Sequence, residues 1–212
     1  TQNQAFSAIR FLYVNVWNLP FDDLGQVLRA RRSERLPTVL AVSDVGRVLA
    51  AAGQDSHGLL LHLLYGCGFR LREGIGLRVK DLDFGRGTVE VRAGKGGKDR
   101  FVTMPESLSA ILQERMETLR ALHLRDREDK APAVAMPDAL ARKWPKAGTD
   151  FAWQWVFPGS KLSTDPRSGI VRRHHLHPDW VGQRLRRAAE SVSLTERITC
   201  HTLRHSFATH LL

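Results

Sequence analysis

Cysteine is nearly absent from this chain: Cys67 and Cys200 are the only two in 212 residues. That excludes a disulfide framework and fits a reducing cytoplasm. Tyrosine is as scarce, with Tyr13 and Tyr65 alone. No apolar run reaches the roughly 18 residues that a membrane span needs, so no membrane partner is expected. Internal repeats and low-complexity tracts are also lacking. Acidic residues are outnumbered, 22 Asp plus Glu against 32 Lys plus Arg, which leaves a formal charge of +10 and a pI near 10.4. A polyanion, most simply nucleic acid, is the partner such a balance points to. Apolar residues, at 42%, are enough for a packed core. The chain opens at Thr1 already inside a helical pattern, and so reads as lacking its natural start.

Residues 1–18 place Ala5, Ile9, Leu12, Tyr13 and Val16 at helical spacing. "LRARRSERLP" at 28–37 carries four arginines and a closing proline. It reads as a basic linker, either solvated or touching phosphate through Arg31 and Arg32. Ser43 is placed to cap a helix through Val45, Val48 and Leu49. A second, strongly apolar helix follows over 57–77, broken at Gly66 and Gly68. The pattern then turns to a period of two. Val79, Leu82, Val89, Val91, Phe101 and Val102 fall in short runs between "GRG" and "GKGG", which predicts three antiparallel strands joined by tight turns. Pro105 opens a helix with Leu108, Ile111, Leu112, Met116, Leu119 and Leu122 on one stripe. Pro178 opens another, with Val181, Leu185, Ala188 and Val192 inward. The fold class expected is mainly α with a small antiparallel three-stranded β-sheet.

Residues 128–175 show no clear period. Over 137–175, seven Lys or Arg face three Asp or Glu, and Trp144, Phe151, Trp153, Trp155 and Phe157 are interleaved with them. Rings among cations suit single-stranded nucleic acid, in which bases stack while the backbone is tracked by charge. The same rings also suit a small satellite core under a long loop.

Three separated elements could converge on a phosphate. Arg70 follows the Gly-broken helix in "GCGFRLRE". Lys95 sits in the glycine-rich turn "AGKGG". His201 and Arg204 lie three apart at the start of the final helix, on one face. Two guanidinium groups can grip the non-bridging oxygens of a phosphodiester, and a lysine can protonate a leaving oxygen. "GKGG" lacks the full P-loop pattern. The histidines His174, His175 and His177 form H-H-x-H, which has no standard zinc spacing and no C-x-x-C partner, so no metal is expected.

The order "GFRLRE … GKGGKDR … HTLRHSFATHLL" resembles the catalytic domain of tyrosine recombinases, the phage-integrase family. The resemblance assigns Arg70, Lys95, His201 and Arg204 as catalytic, with Glu73 and His205 in support. It implies a 3′-phosphotyrosyl intermediate and no metal or nucleotide cofactor. "MPDALARKWP", "WQWVFPGS", "DPRSG" and "RRHH", in that order, further resemble the extra segment of integron integrases. There it helps recognise folded single-stranded recombination sites with flipped-out bases. By position Trp153, Pro166, His174 and His175 match the residues that hold those bases, and Arg172 and Arg173 complete the expected DNA contacts.

The resemblance also sets expectations for organisation. Residues 1–27 would be the end of a core-binding, SAM-like N-terminal domain, 28–37 the linker, and 38–212 the catalytic domain, with the integron-specific insertion at about 130–175. The family places a further His or Trp and then the nucleophilic Tyr beyond the H-x-x-R pair. Neither Tyr13 nor Tyr65 is in that position, so the chain is expected to be a fragment ending before the nucleophile, able to bind DNA but not to cleave it. A catalytically inert DNA-binding module and a type IB topoisomerase-like nicking enzyme are the competing readings, and the Trp-rich segment weighs against the latter. The full-length parent would act in the bacterial cytoplasm, at the nucleoid, as a homo-tetramer on DNA.

Overall fold

The computed structural model describes residues 2–21, 38–92 and 99–212. It divides into two compact units, Thr1–Leu36 and Pro37–Leu212. In the first, helix α1 (Gln2–Phe11) widens into a π turn at Leu12–Val16. Ile9, Leu12, Tyr13 and Val16 are all exposed. Edge-to-face ring contacts of Tyr13 with Trp17 and Phe21, and of Phe6 with Phe21, fold this unit on itself. The basic segment at 28–37, including Arg31 and Arg32, lies outside the described residues.

The second unit is built around α3 (Ser56–Gly66). Its leucines cover every side, and Leu59, Leu60, Leu61, Leu63 and Leu64 are all buried. Such a helix is stable only when surrounded. α2 (Val42–Ala52), α7 (Pro178–Ser191) and α8 (Cys200–His210) pack on it. Asp55 caps α3, accepting the N–H groups of His57 and Gly58 at 3.0 Å each. A Cβ at Gly58 would stand 2.1 Å from the Gly53 carbonyl oxygen, so glycine is what lets α3 start hard against the end of α2. The cap expected at Ser43 is not made. α2 begins two residues earlier than that cap would set it, after an extended Ala41, which puts Ser43 inside the first turn.

The short helix α4 (Leu71–Ile75) follows the glycine break. β1 (Leu82–Asp83), β2 (Thr88–Val91) and β3 (Arg100–Thr103) form the expected antiparallel sheet in sequence order. Val79 belongs instead to a 3-10 turn, Val79–Asp81. α5 (Glu106–Glu128) starts after Pro105 and buries Leu108, Leu112, Met116 and Leu119 along one stripe.

After α5 comes α6 (Asp138–Lys143) and then a second sheet that the sequence pattern did not announce. It is an antiparallel hairpin of β4 (Pro158–Thr164) and β5 (Val171–His175). Trp155, Val156 and Phe157 are buried just before it and root it in the core. At the other end of the unit, α8 holds both backbone groups of Leu40. The Leu40 N–H donates to Ser206 Oγ at 3.0 Å, and the His210 ring bonds the Leu40 carbonyl through Nε2 at 3.0 Å. A carbonyl can only accept, so Nε2 carries the hydrogen. In the neutral ring Nδ1 then accepts the Tyr65 hydroxyl, at 2.9 Å. Among the described residues no helix is long and apolar enough to cross a membrane.

Candidate active site and nucleic-acid interface

The chain leaves α3 at Cys67 and turns through Gly68, whose φ is +59°. A Cβ at Gly68 would lie 2.3 Å from the Phe207 ring. Glycine thus permits both the left-handed backbone and contact with α8. That contact lets Arg204 Nη1 donate to the Gly68 carbonyl. Arg70, two residues on, reaches the same place from the other side.

Glu73 is the hub. Its side chain is 8% exposed. It accepts Arg70 Nη1 at 2.8 Å and the Arg70 backbone N–H at 2.8 Å. Arg100, the first residue of β3, adds a two-pronged contact at 3.1 and 2.8 Å. Arg204 Nη1 stands 3.7 Å from the same carboxylate. Three guanidinium groups therefore share one negative charge, leaving a net charge of about +2. Arg70 and Arg100 remain 34% exposed and Arg204 30%, so the excess charge faces solvent. Burial, and then the neighbouring Arg70, pushes the Arg204 pKa below its usual value. An anion bound here would relieve that repulsion.

Burial alone would raise the Glu73 carboxyl, but hydrogen bonds from Arg100 and Arg70 outweigh it and hold the group at about 2, from 4.5. A depressed carboxylate stabilises the fold above its unfolded pKa and loses that contribution as the pH falls through its folded pKa. The loss should run from about pH 4.5 down to about pH 2 and amount to on the order of 2 kcal/mol, allowing for screening at the exposed arginines. Melting wild type and Glu73→Gln across that range checks it: the gap between them should close as the pH drops. A gap that stays constant would defeat the assignment.

His201 is exposed in the first turn of α8, with His205 one turn on at 6.5 Å between ring centroids. Thr199 caps this helix and accepts the Thr202 N–H. The structure thus brings Arg70, Glu73 and Arg204 together and sets His201 on the helix that carries Arg204. Lys95 lies outside the described residues, between β2 and β3, whose first residue is Arg100. Arg100 itself was not anticipated from sequence.

Residues 38–212 match the Phage integrase family. The chain belongs to that family. This phage-integrase chain is 47% identical over all 212 residues to an integrase/recombinase of Escherichia coli, covering 63% of that protein. It is 31% identical over 194 residues to the tyrosine recombinase XerA of Thermococcus kodakarensis, covering 90% of this chain and 55% of that one. It therefore spans less than two thirds of the length of these relatives. A crystal structure of XerA recombinase superposes with a TM-score of 0.54 at 21% identity, over 84% of this chain and 52% of that one. A post-cleavage complex of XerH recombinase with its palindromic difH substrate gives 0.53 at 22%, over 85% and 43%. At such identity these two show the shared fold.

In this phage-integrase chain the residues expected to read bases are split between two concavities. Pro166, His174 and His175 line a groove of about 1310 Å³. Trp153 lines another of about 610 Å³, with Trp144, Lys143 and Lys146. The Lys80 ammonium lies 3.5 Å from the centroid of the Trp153 ring, a cation–π contact. Trp155, not Trp153, is the indole beside the histidines. It is buried edge-on to His175 at 5.0 Å and covered by the Arg78 guanidinium. Arg78 itself is buried and donates to the Trp153 and Ala135 carbonyls at 2.7 Å each. Burial lowers its pKa to about 9.

Arg173 departs from the expected DNA contact. It is buried, paired with Asp126 through two nitrogens, and donates to the Gly159 carbonyl at 2.9 Å. Its guanidinium is an internal tie between α5 and the hairpin. Arg172, the next residue back along β5, points to the other face. It bonds Ser168 Oγ at 3.2 Å and lies 3.6 Å from Asp165.

Proposed function

We propose that the chain is the DNA-contacting part of a site-specific recombinase. The observation that carries this reading is the single buried carboxylate ringed by three arginines drawn from distant segments, with their excess charge open to solvent. Arg70 and Arg204 would hold the non-bridging oxygens of the scissile phosphodiester and stabilise the charge that develops on them. A tyrosine oxygen bonds to phosphorus as the bond to the 5′ oxygen breaks, giving a 3′-phosphotyrosyl link. Lys95 supplies the proton to the departing 5′ oxygen, and His201 assists at the phosphate. Reversal by a new 5′ hydroxyl rejoins the strands. Neither a metal nor a nucleotide cofactor takes part. Tyr65 is a poor candidate for the nucleophile because its hydroxyl is engaged by His210. On this reading neither Tyr65 nor Tyr13 is the attacking tyrosine, and the chain by itself binds DNA without cutting it.

The finer reading is an integron integrase that captures gene cassettes at folded single-stranded sites, working as a homo-tetramer in the bacterial cytoplasm. The ordered motifs of the insertion support it, as do the concavity beside its hairpin and the one that Trp153 lines. Trp153→Ala should weaken binding to a hairpin with flipped-out bases by about 1–3 kcal/mol, the usual loss for one stacked base. Binding to a fully paired duplex of the same sequence, held mainly through phosphates, should barely change. Parallel losses on both DNAs, together with a lower melting temperature, would make Trp153 a structural residue and remove the base-reading role.

A further inference from the structure

We propose that the groove between α5 and the β4–β5 hairpin holds a second DNA phosphate, gripped by Arg115. The inference rests on the DNA-binding reading above and places a contact away from the arginine cluster at Glu73. Arg115 is half-buried on α5 and lines the groove. Its Nε donates to the Val156 carbonyl at 3.3 Å, and among the described residues no carboxylate pairs with it. Its neighbours in the fold differ. Arg173 is spent on Asp126 and Gly159, and Arg78 on two carbonyls and the Trp155 ring. A guanidinium drawn out of water without a counter-charge is costly unless an anion comes to it.

The rest of the groove has the matching character. Its two carboxylates are already taken, Asp55 by Arg184 and Asp165 by Arg172. Lys161 and Arg167 add two further cations at the rim. The Nε2 of His174 is buried without a hydrogen-bond partner among the described residues, and the ring lines the same space. His57 lies beside Arg115, and burial, then the arginine's charge, holds its pKa down, so it stays neutral at pH 7 and leaves Arg115 as the deep cation. Exposed Pro166 and Trp180 supply flat apolar faces at the edge. A floor cation, a donor-poor buried nitrogen and apolar rims fit one nucleotide unit of a single strand, phosphate inward.

The salt dependence of binding tests this, with a labelled folded hairpin and anisotropy as the readout. Each phosphate contact contributes about 0.7–0.9 to the slope of log affinity against log salt. Arg115→Gln should lower the slope by about that amount and weaken binding about tenfold. Arg115→Lys keeps the charge and should keep most of the slope. If both variants lose affinity with the slope unchanged, or melt early in parallel, Arg115 is a structural residue and the inference falls. If the wild-type chain binds no hairpin at all, the DNA-binding reading falls with it. A normal wild-type slope that Arg115→Gln leaves intact overturns this inference alone.

Discussion

Arg204→Ala, in a full-length recombinase carrying these residues, is expected to lower the rate of DNA strand cleavage by about 100-fold or more, roughly 3 kcal/mol. The side chain meets the Gly68 carbonyl and comes within 3.7 Å of Glu73, so its orientation is fixed before any substrate arrives. A preorganised donor of this kind costs no reorientation at the moment charge develops on the phosphate. Arg70→Ala should cost at least as much. Arg70 both faces solvent and holds Glu73 through side chain and backbone, so its loss also loosens the hub that positions Arg100. Single-turnover cleavage of a nicked, trapping substrate measures both. A loss below about threefold, with melting unchanged, would mean the cluster is an ion-pair network and not a phosphate clamp.

Asp126→Ala should be the most damaging single change to stability, at about 3–5 kcal/mol, because it leaves the buried Arg173 charge facing one carbonyl. Thermal melting should show a drop of about 10 °C for a domain of this size. The double change Asp126→Leu with Arg173→Met should recover most of that loss, since two apolar groups need no partner. If the single variant melts within about 2 °C of wild type, the pair is solvated in solution and does not anchor the hairpin.

How much of this could be read from sequence follows from what each segment buries. The stripe on α5 and the all-round leucines of α3 mark their burial through spacing, and both elements are where the spacing puts them. The β4–β5 hairpin is different. β4 is exposed along almost its whole length, so "PGSKLST" has no alternation between a wet and a dry face. Arg172 and Arg173 illustrate a second limit. Adjacent residues of a strand point to opposite faces, so one of the two had to turn inward, but the register alone decides which. Asp126 gives no hint either, since its partner lies 47 residues away.

At the site, Arg70, Glu73 and Arg204 were legible through their motifs, whereas Arg100 was not. A signal existed in the strand's alternation: Arg100 and Val102 are half-buried while Phe101 and Thr103 do not share one face with them. Without the position of α4, nothing said that this inward side met Glu73. The tryptophans carry the same lesson. "WQW" looks like one aromatic feature, yet Trp155 is packed inside and Trp153 lines a surface concavity.

The hold that α8 keeps on Leu40 has a consequence for how the domain is made. Both backbone groups of Leu40 wait on side chains that lie 166 and 170 residues later. During synthesis, α2 and the leucine-coated α3 emerge long before Ser206 and His210 exist to meet them. Two of the helices that pack on α3, α7 and α8, are also translated long after it. Loops of that length must close before the central helix is covered, which makes closure slow and concentrates it in one late step. A nascent chain stalled before α8 would therefore display α3's apolar surface, the state that chaperones recognise. The central helix is made early and covered late.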